Sequence, residues 1–102
     1  MPSQIETAAK LFEAGELEAA DSICCRIIEH SENHASAIHL RGVIAYQSND
    51  YITAIAQLSA ADKLIEDNYD IMFALAASYE YSFQYASAIT LYRKIKAIDP
   101  KN

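Results

Sequence analysis

Few residues of this chain could do chemistry. His30 and His34 stand four apart, a spacing that puts two imidazoles on one helix face and within reach of one metal ion. A structural metal site wants four ligands, and two histidines leave it half built. A plainer role fits them. They straddle the end of a predicted helix, where a cationic imidazole meets the negative pole of the helix dipole. Cys24 and Cys25 are adjacent and cannot staple distant segments. A disulfide-built secreted scaffold is thereby excluded, and a reducing, cytoplasmic setting is expected. No base is spaced to activate either thiol. Cys24 is expected in the core as a small hydrophobe, with Cys25 turned outward. The carboxylate pairs Glu16/Glu18 and Glu66/Asp67 fall in turns and helix ends, and read as solvating groups rather than an acid–base couple. The only glycines are Gly15 and Gly42, too few for a phosphate-cradling loop. We expect no enzyme, no metal and no cofactor.

The elements that carry these residues follow from composition. Of 102 residues, 52% are hydrophobic and 22% charged, a globular composition sized for one domain. Two Gly and two Pro are too few turn residues for a sandwich or barrel, and they favour long helices with short connections. A formal charge of −6 argues against nucleic acid, whose phosphates select basic partners. No apolar run approaches the roughly 18 to 20 residues that span a bilayer. No basic segment followed by an apolar one opens the chain, so neither a membrane span nor a secretory leader is expected.

The chain repeats itself with a period of 34, one third of its length. Ala8, Gly42 and Ala76 coincide, all small; so do Ala20, Ala54 and Ala88. Leu17, Tyr51 and Tyr85 coincide, all large. Further columns are Leu11/Ala45/Tyr79, Cys24/Leu58/Tyr92 and Ile27/Ala61/Ile95. Each unit carries a helical period, a break and a second helical run. The breaks fall at 14–16, 48–50 and 82–84. Gly15 and Asn49 can take a left-handed backbone cheaply there, whereas Phe83 cannot. The expected architecture is all-α: a solenoid of three antiparallel helix-turn-helix hairpins in a single domain, residues 1–102, with repeats 1–34, 35–68 and 69–102. The helices are expected at 3–14 and 17–30, 35–48 and 51–66, and 69–82 and 85–98, the last ended by Asp99-Pro100. The two small columns mark where paired helices cross, and the large columns fill the space around the crossing.

These columns resemble the tetratricopeptide repeat (TPR) family. Leu75, Ala76, Tyr79, Tyr85, Ala88, Ile89, Tyr92 and Pro100 in the third unit fall on that family's spacing. Gly42, Tyr51, Ala54, Ile55, Leu58 and Ala61 do so in the second, and Ala8, Leu11, Gly15, Leu17, Ala20 and Ile27 in the first. Arg41, Gln4 and Asp21 depart from the pattern, the first two where a Leu and a large aromatic are usual. The resemblance implies a superhelix whose first helices line a concave face. The groove is then expected from Ile5, Ala9 and Phe12, from His39, Val43, Tyr46 and Gln47, and from Phe73, Ala77, Glu80 and Tyr81. Within each helix these recur at three- or four-residue steps and share a face. Some family members hold a peptide's C-terminal carboxylate with Lys, Arg and Asn on these helices. The corresponding places here hold Ile5, Ala9, Leu40, Asp70 and Ala74, so no cationic clamp forms. An apolar helix or extended segment is the expected ligand.

Charge and aromatic content are uneven. Residues 1–34 carry −5, residues 35–68 carry −2 and residues 69–102 carry +1, and seven of the ten aromatics lie between Tyr69 and Tyr92. The last predicted helix ends four residues before Asn102, which would leave its outer face uncovered. Ala86, Ile89, Thr90 and Tyr92 are expected on that face and imply a homo-oligomer through the uncapped C-terminal hairpin. The functional reading is a non-catalytic protein–protein interaction module. Its alternatives are a self-assembling scaffold, a small secretion-type chaperone, and a repeat arm of a larger enzyme. For the last, residues 34–47 resemble repeats that precede bacterial glycosyltransferase domains.

Overall fold

The computed structural model describes residues 3–98, so the helix stop expected at Asp99-Pro100 lies outside the described residues. Six helices follow in order: α1 (Gln4–Glu13), α2 (Leu17–His30), α3 (Ala35–Gln47), α4 (Tyr51–Leu64), α5 (Tyr69–Tyr81) and α6 (Tyr85–Ile98). Four are slightly shorter than expected because their end residues act as caps. Ser3 and Ala14 flank α1, Ser48 and Ser82 close α3 and α5, and Ile65 has already turned extended after α4.

Four of the starts, those of α1, α3, α4 and α5, are set by side chains that accept from the third amide of the helix. Ser3 accepts from the Glu6 N–H at 3.3 Å, Asp50 from Thr53 at 3.2 Å and Asn68 from Ile71 at 3.0 Å. His34 does the same for α3, its Nδ1 accepting from the Ala37 N–H at 3.2 Å. It therefore starts one helix rather than serving the dipole at the end of the previous one.

The turns inside the hairpins are one structure used three times. Gly15, Asn49 and Phe83 have φ of 84°, 64° and 66°. The next N–H reaches back five residues in each: Glu16 to the Leu11 carbonyl at 2.8 Å, Asp50 to Ala45 at 2.9 Å, Gln84 to Tyr79 at 2.8 Å. With the N–H of Gly15, Asn49 or Phe83 reaching back three residues, to Phe12, Tyr46 and Glu80, this double closure satisfies carbonyls that the helix end leaves free. Phe83 adopts it despite its Cβ.

Both small columns are buried, and they fix how closely paired helices approach. A Cβ built on Gly42 would stand 2.6 Å from Cγ of Leu58, which is itself fully buried. Around the crossings lie Cys24 and Ile27 in the first hairpin, Leu58 between the second and third, and Met72 and Ile95 in the third. The hairpins stack in chain order, α2 on α3 and α4 on α5, with α1, α3 and α5 side by side. The result is an all-α solenoid of helical hairpins, 40 × 24 × 24 Å among the described residues, without a strand.

Phe83 is 77% exposed, so its side chain gives up little packing if removed. A left-handed backbone costs a residue with a Cβ about 1–2 kcal/mol, partly offset by the chain entropy that glycine loses on folding. Phe83→Gly is expected to raise the free energy of unfolding by about 0.5–1 kcal/mol. Urea unfolding followed by circular dichroism measures it, and a loss of stability would contradict the turn's strain.

Candidate functional site

Because α1, α3 and α5 lie side by side, residues one turn apart on each line up into a continuous wall. Two adjoining clefts run along it. One, of about 440 Å³, is lined by Ile5, Ala9 and Phe12 of α1, by Ser36, His39, Leu40 and Val43 of α3, and by Ile65 and Asn68 of the α4–α5 connection. The other, of about 420 Å³, is lined by His39, Val43, Tyr46 and Gln47 of α3 and by Tyr69, Asp70, Phe73, Ala74 and Ala77 of α5. His39 and Val43 belong to both and form the ridge between them.

The structure thus brings together Ile5, Ala9, Phe12, His39, Val43, Tyr46, Gln47, Phe73 and Ala77 of the expected groove. Ala77 is buried, whereas Gln47 and Phe73 are exposed. Glu80 and Tyr81 line neither cleft and stand at the C-terminal end of α5. Tyr81 meets Tyr46 edge-on at 6.0 Å and stacks on Tyr51 at 5.7 Å. Glu80 accepts a 2.9 Å hydrogen bond from the Tyr92 hydroxyl. Sequence reasoning missed Tyr69 as a lining residue. Its signal is the four-residue step to Phe73, on which it stacks at 5.6 Å. Ser36 and Asp70 share a repeat column and both line the wall, a pairing the period of 34 contains.

No Lys or Arg lines either cleft. Burial pushes the His39 imidazole below its ordinary pKa, and Asp70 pulls in the opposite direction. Burial also pushes the Tyr46 hydroxyl up, and Tyr81 and Tyr51 add to it. Tyr92 is pushed up to about 12, first by burial and then by its bond to Glu80. Tyr46 and Tyr92 keep their protons at neutral pH, so hydrogen bonds, aromatic faces and the Asp70 carboxylate are what the wall offers.

The residues expected on the outer face of the last hairpin are spread around α6. Ala86 and Thr90 line a separate cleft with Leu75 and Tyr79, while Ile89 is 49% exposed. Tyr92 turns toward α5 and meets Phe73 edge-on at 5.7 Å.

No family model matches the sequence, and no curated protein matches it. A solved structure of a mutant of the Thermobaculum terrenum O-GlcNAc transferase does match, with a TM-score of 0.87 at 20% identity, over 96% of this chain and 19% of that chain. The likeness is one of fold. It supports a TPR-like helical repeat, and since this chain spans about a fifth of the matched one, it carries no activity across.

Two departures from the repeat pattern explain each other. Arg41 Nε lies 3.4 Å from Asp21 Oδ1, across the α2–α3 contact, and both side chains remain about a third exposed. The contact is an ion pair without hydrogen-bond alignment, since Arg41 Nε has no hydrogen-bond partner. At this exposure it contributes about 1 kcal/mol or less.

The cysteines differ sharply in setting. Cys24 is fully buried, and burial, with Asp21 next, pushes its thiol up to about 11. Cys25 is half-buried, its Sγ 3.9 Å from Asp21 Oδ2, and it too is raised by burial first. The thiolate is the reactive form, so both are poor nucleophiles. In the folded protein at pH 8, iodoacetamide is expected to leave Cys24 unmodified and to label Cys25 slowly. Both should label at once in urea, as read by peptide mass spectrometry.

Proposed function

We propose that this chain is a non-catalytic protein-interaction module that seats an apolar helix or extended segment along the wall of α1, α3 and α5. The observation that carries this reading is the pair of adjoining clefts, whose lining is mostly apolar and aromatic and whose ridge is His39 and Val43. Such concave, apolar surfaces with a few placed polar groups are where helical arrays receive partners. The free cysteines fit a reducing, cytoplasmic setting. A match over 96% of this chain to 19% of a transferase also fits a repeat arm of a larger protein.

Phe73 is 45% exposed and supplies the cleaner test. Phe73→Ala is expected to weaken a groove ligand by tenfold or more, as aromatic anchors do, while the melting temperature moves by only a few degrees. Tyr46→Ala should cost additional stability. Tyr46 packs on the buried cluster of Ala45, Ala54, Leu58 and Leu75, and its two edge-on ring contacts contribute about 0.5–1.5 kcal/mol each. Unfolding of the Phe73→Ala protein would make that side chain a core residue and remove the reading.

Self-association through α6 is a second reading, favoured by comparison along the repeat. Ile55 of α4 is packed against Leu75 and its neighbours, and the matching Ile89 of α6 stands 49% exposed. The exposed Arg93, Lys94 and Lys96 nearby would suit the acidic first repeat of a second copy. Sedimentation at rising concentration should show growth that salt weakens. A strict monomer throughout would remove this second reading and leave the groove.

A further inference from the structure

The C-terminal end of the groove differs in chemistry from the rest. Glu80 is exposed, and Tyr92 donates to one of its oxygens at 2.9 Å. Tyr92 meets Phe73 at 5.7 Å, with ring planes 77° apart. Tyr46 meets Tyr81 at 6.0 Å, with planes 63° apart. Glu80 is close enough to Tyr46 to act on its hydroxyl, and Tyr46 and Tyr81 act in turn on Tyr92. Glu80 is therefore bonded to one phenol, Tyr92, whose ring meets Phe73, with the Tyr46–Tyr81 ring pair at the same end of α5.

Nothing of opposite charge serves it. The only ion pair among the described residues joins Arg41 to Asp21, on the other side of α3. The cations of the first helices, Lys10 and Arg41, line neither cleft, and the other described cations lie on α2, α4 and α6. Glu13, Asp70 and Glu80 on the same three helices are all exposed. The wall is thus apolar and aromatic, with Asp70 in one cleft and Glu80 at the C-terminal end of α5, and no Lys or Arg lines either cleft. Aromatic faces attract cations through their quadrupole, and a carboxylate beside them adds direct charge attraction.

We propose that Glu80, with the rings of Tyr46, Phe73, Tyr81 and Tyr92, receives a lysine or arginine side chain of the segment seated in the groove. The partner is then a segment that joins apolar anchors to a cation, not a purely apolar one. This rests on the groove reading and narrows it. The apolar part fills the clefts beside His39 and Val43, and the cation fixes direction and register at the Glu80 end.

Random peptides of about a dozen residues, displayed on phage and selected against the whole chain, supply the probes. The strongest binder is synthesised with a fluorophore and titrated by anisotropy. It is expected to carry Lys or Arg among apolar residues and to weaken as salt rises. Glu80→Gln, which keeps the acceptor for Tyr92, should weaken it about fivefold. Replacing the peptide's cation by glutamine should weaken it equally, and the two changes together should do no more than either alone. If Phe73→Ala abolishes binding while Glu80→Gln leaves it unchanged, or if groove binders lack a cation, this inference is overturned and the groove stands. If no selected peptide responds to Phe73→Ala, the groove reading falls and this inference with it.

Discussion

The distance between two helices at one point governs this molecule. Where α3 crosses α4, the backbone at Gly42 lies so near Leu58 that a single added carbon would stand 2.6 Å from Cγ. The first and third hairpins use alanine at the same places, Ala8 with Ala20 and Ala76 with Ala88, all buried. Close packing of this kind leaves no slack, so the crossing sets the hairpin's angle and the hairpin sets the position of its neighbour. The wall of α1, α3 and α5 follows from it. Residues that meet at the clefts come from different hairpins, and their relative placement is inherited from crossings on the far side of the same helices.

Much of this was legible in the sequence, because the columns that make the fold are periodic and small residues are unambiguous. The helices and turns could be placed from the repeat alone, and so could the alignment of Ile5, His39 and Phe73 on one side. What was not legible depends on pairs outside the period. Arg41 and Asp21 read as two separate departures until the α2–α3 contact puts their charges 3.4 Å apart. Phe83 read as a residue unsuited to its turn, and the turn prevails: it keeps the same hydrogen-bonded closure as the turns at Gly15 and Asn49 despite the local steric cost. Tyr92 read as an outward residue of α6. Its repeat column, shared with the buried Cys24 and Leu58, prevails instead and turns it inward to Phe73 and Glu80.

The division of labour between the two sets of helices is also a division of charge. Of the described cations, only Lys10 and Arg41 lie on the first helices, and Arg41 is engaged by Asp21. The wall they form is left to aromatic rings, amides and carboxylates. Of the other described cations, Arg93, Lys94 and Lys96 lie on α6, Arg26 on α2 and Lys63 on α4. A fold shared with a transferase at 20% identity says nothing of such a distribution, which belongs to these side chains. The properties that distinguish one helical array from another are decided at the few positions that neither pack nor turn.

The one-sided packing of α6 has a dynamic consequence. Among the described residues α2 and α4 are each held between two helices, but α6 packs on α5 alone and buries only Ala88 and Ile95 along fourteen residues. A helix held on one side alone opens more readily than one held on two. The strained turn at Phe83 leads into α6, and Tyr92 of α6 braces Phe73 and Glu80. Fraying of α6 would release Tyr92 while leaving the crossing at Gly42 intact. One end of the wall can therefore loosen without the fold coming apart, and a segment bound there would slow its amide exchange.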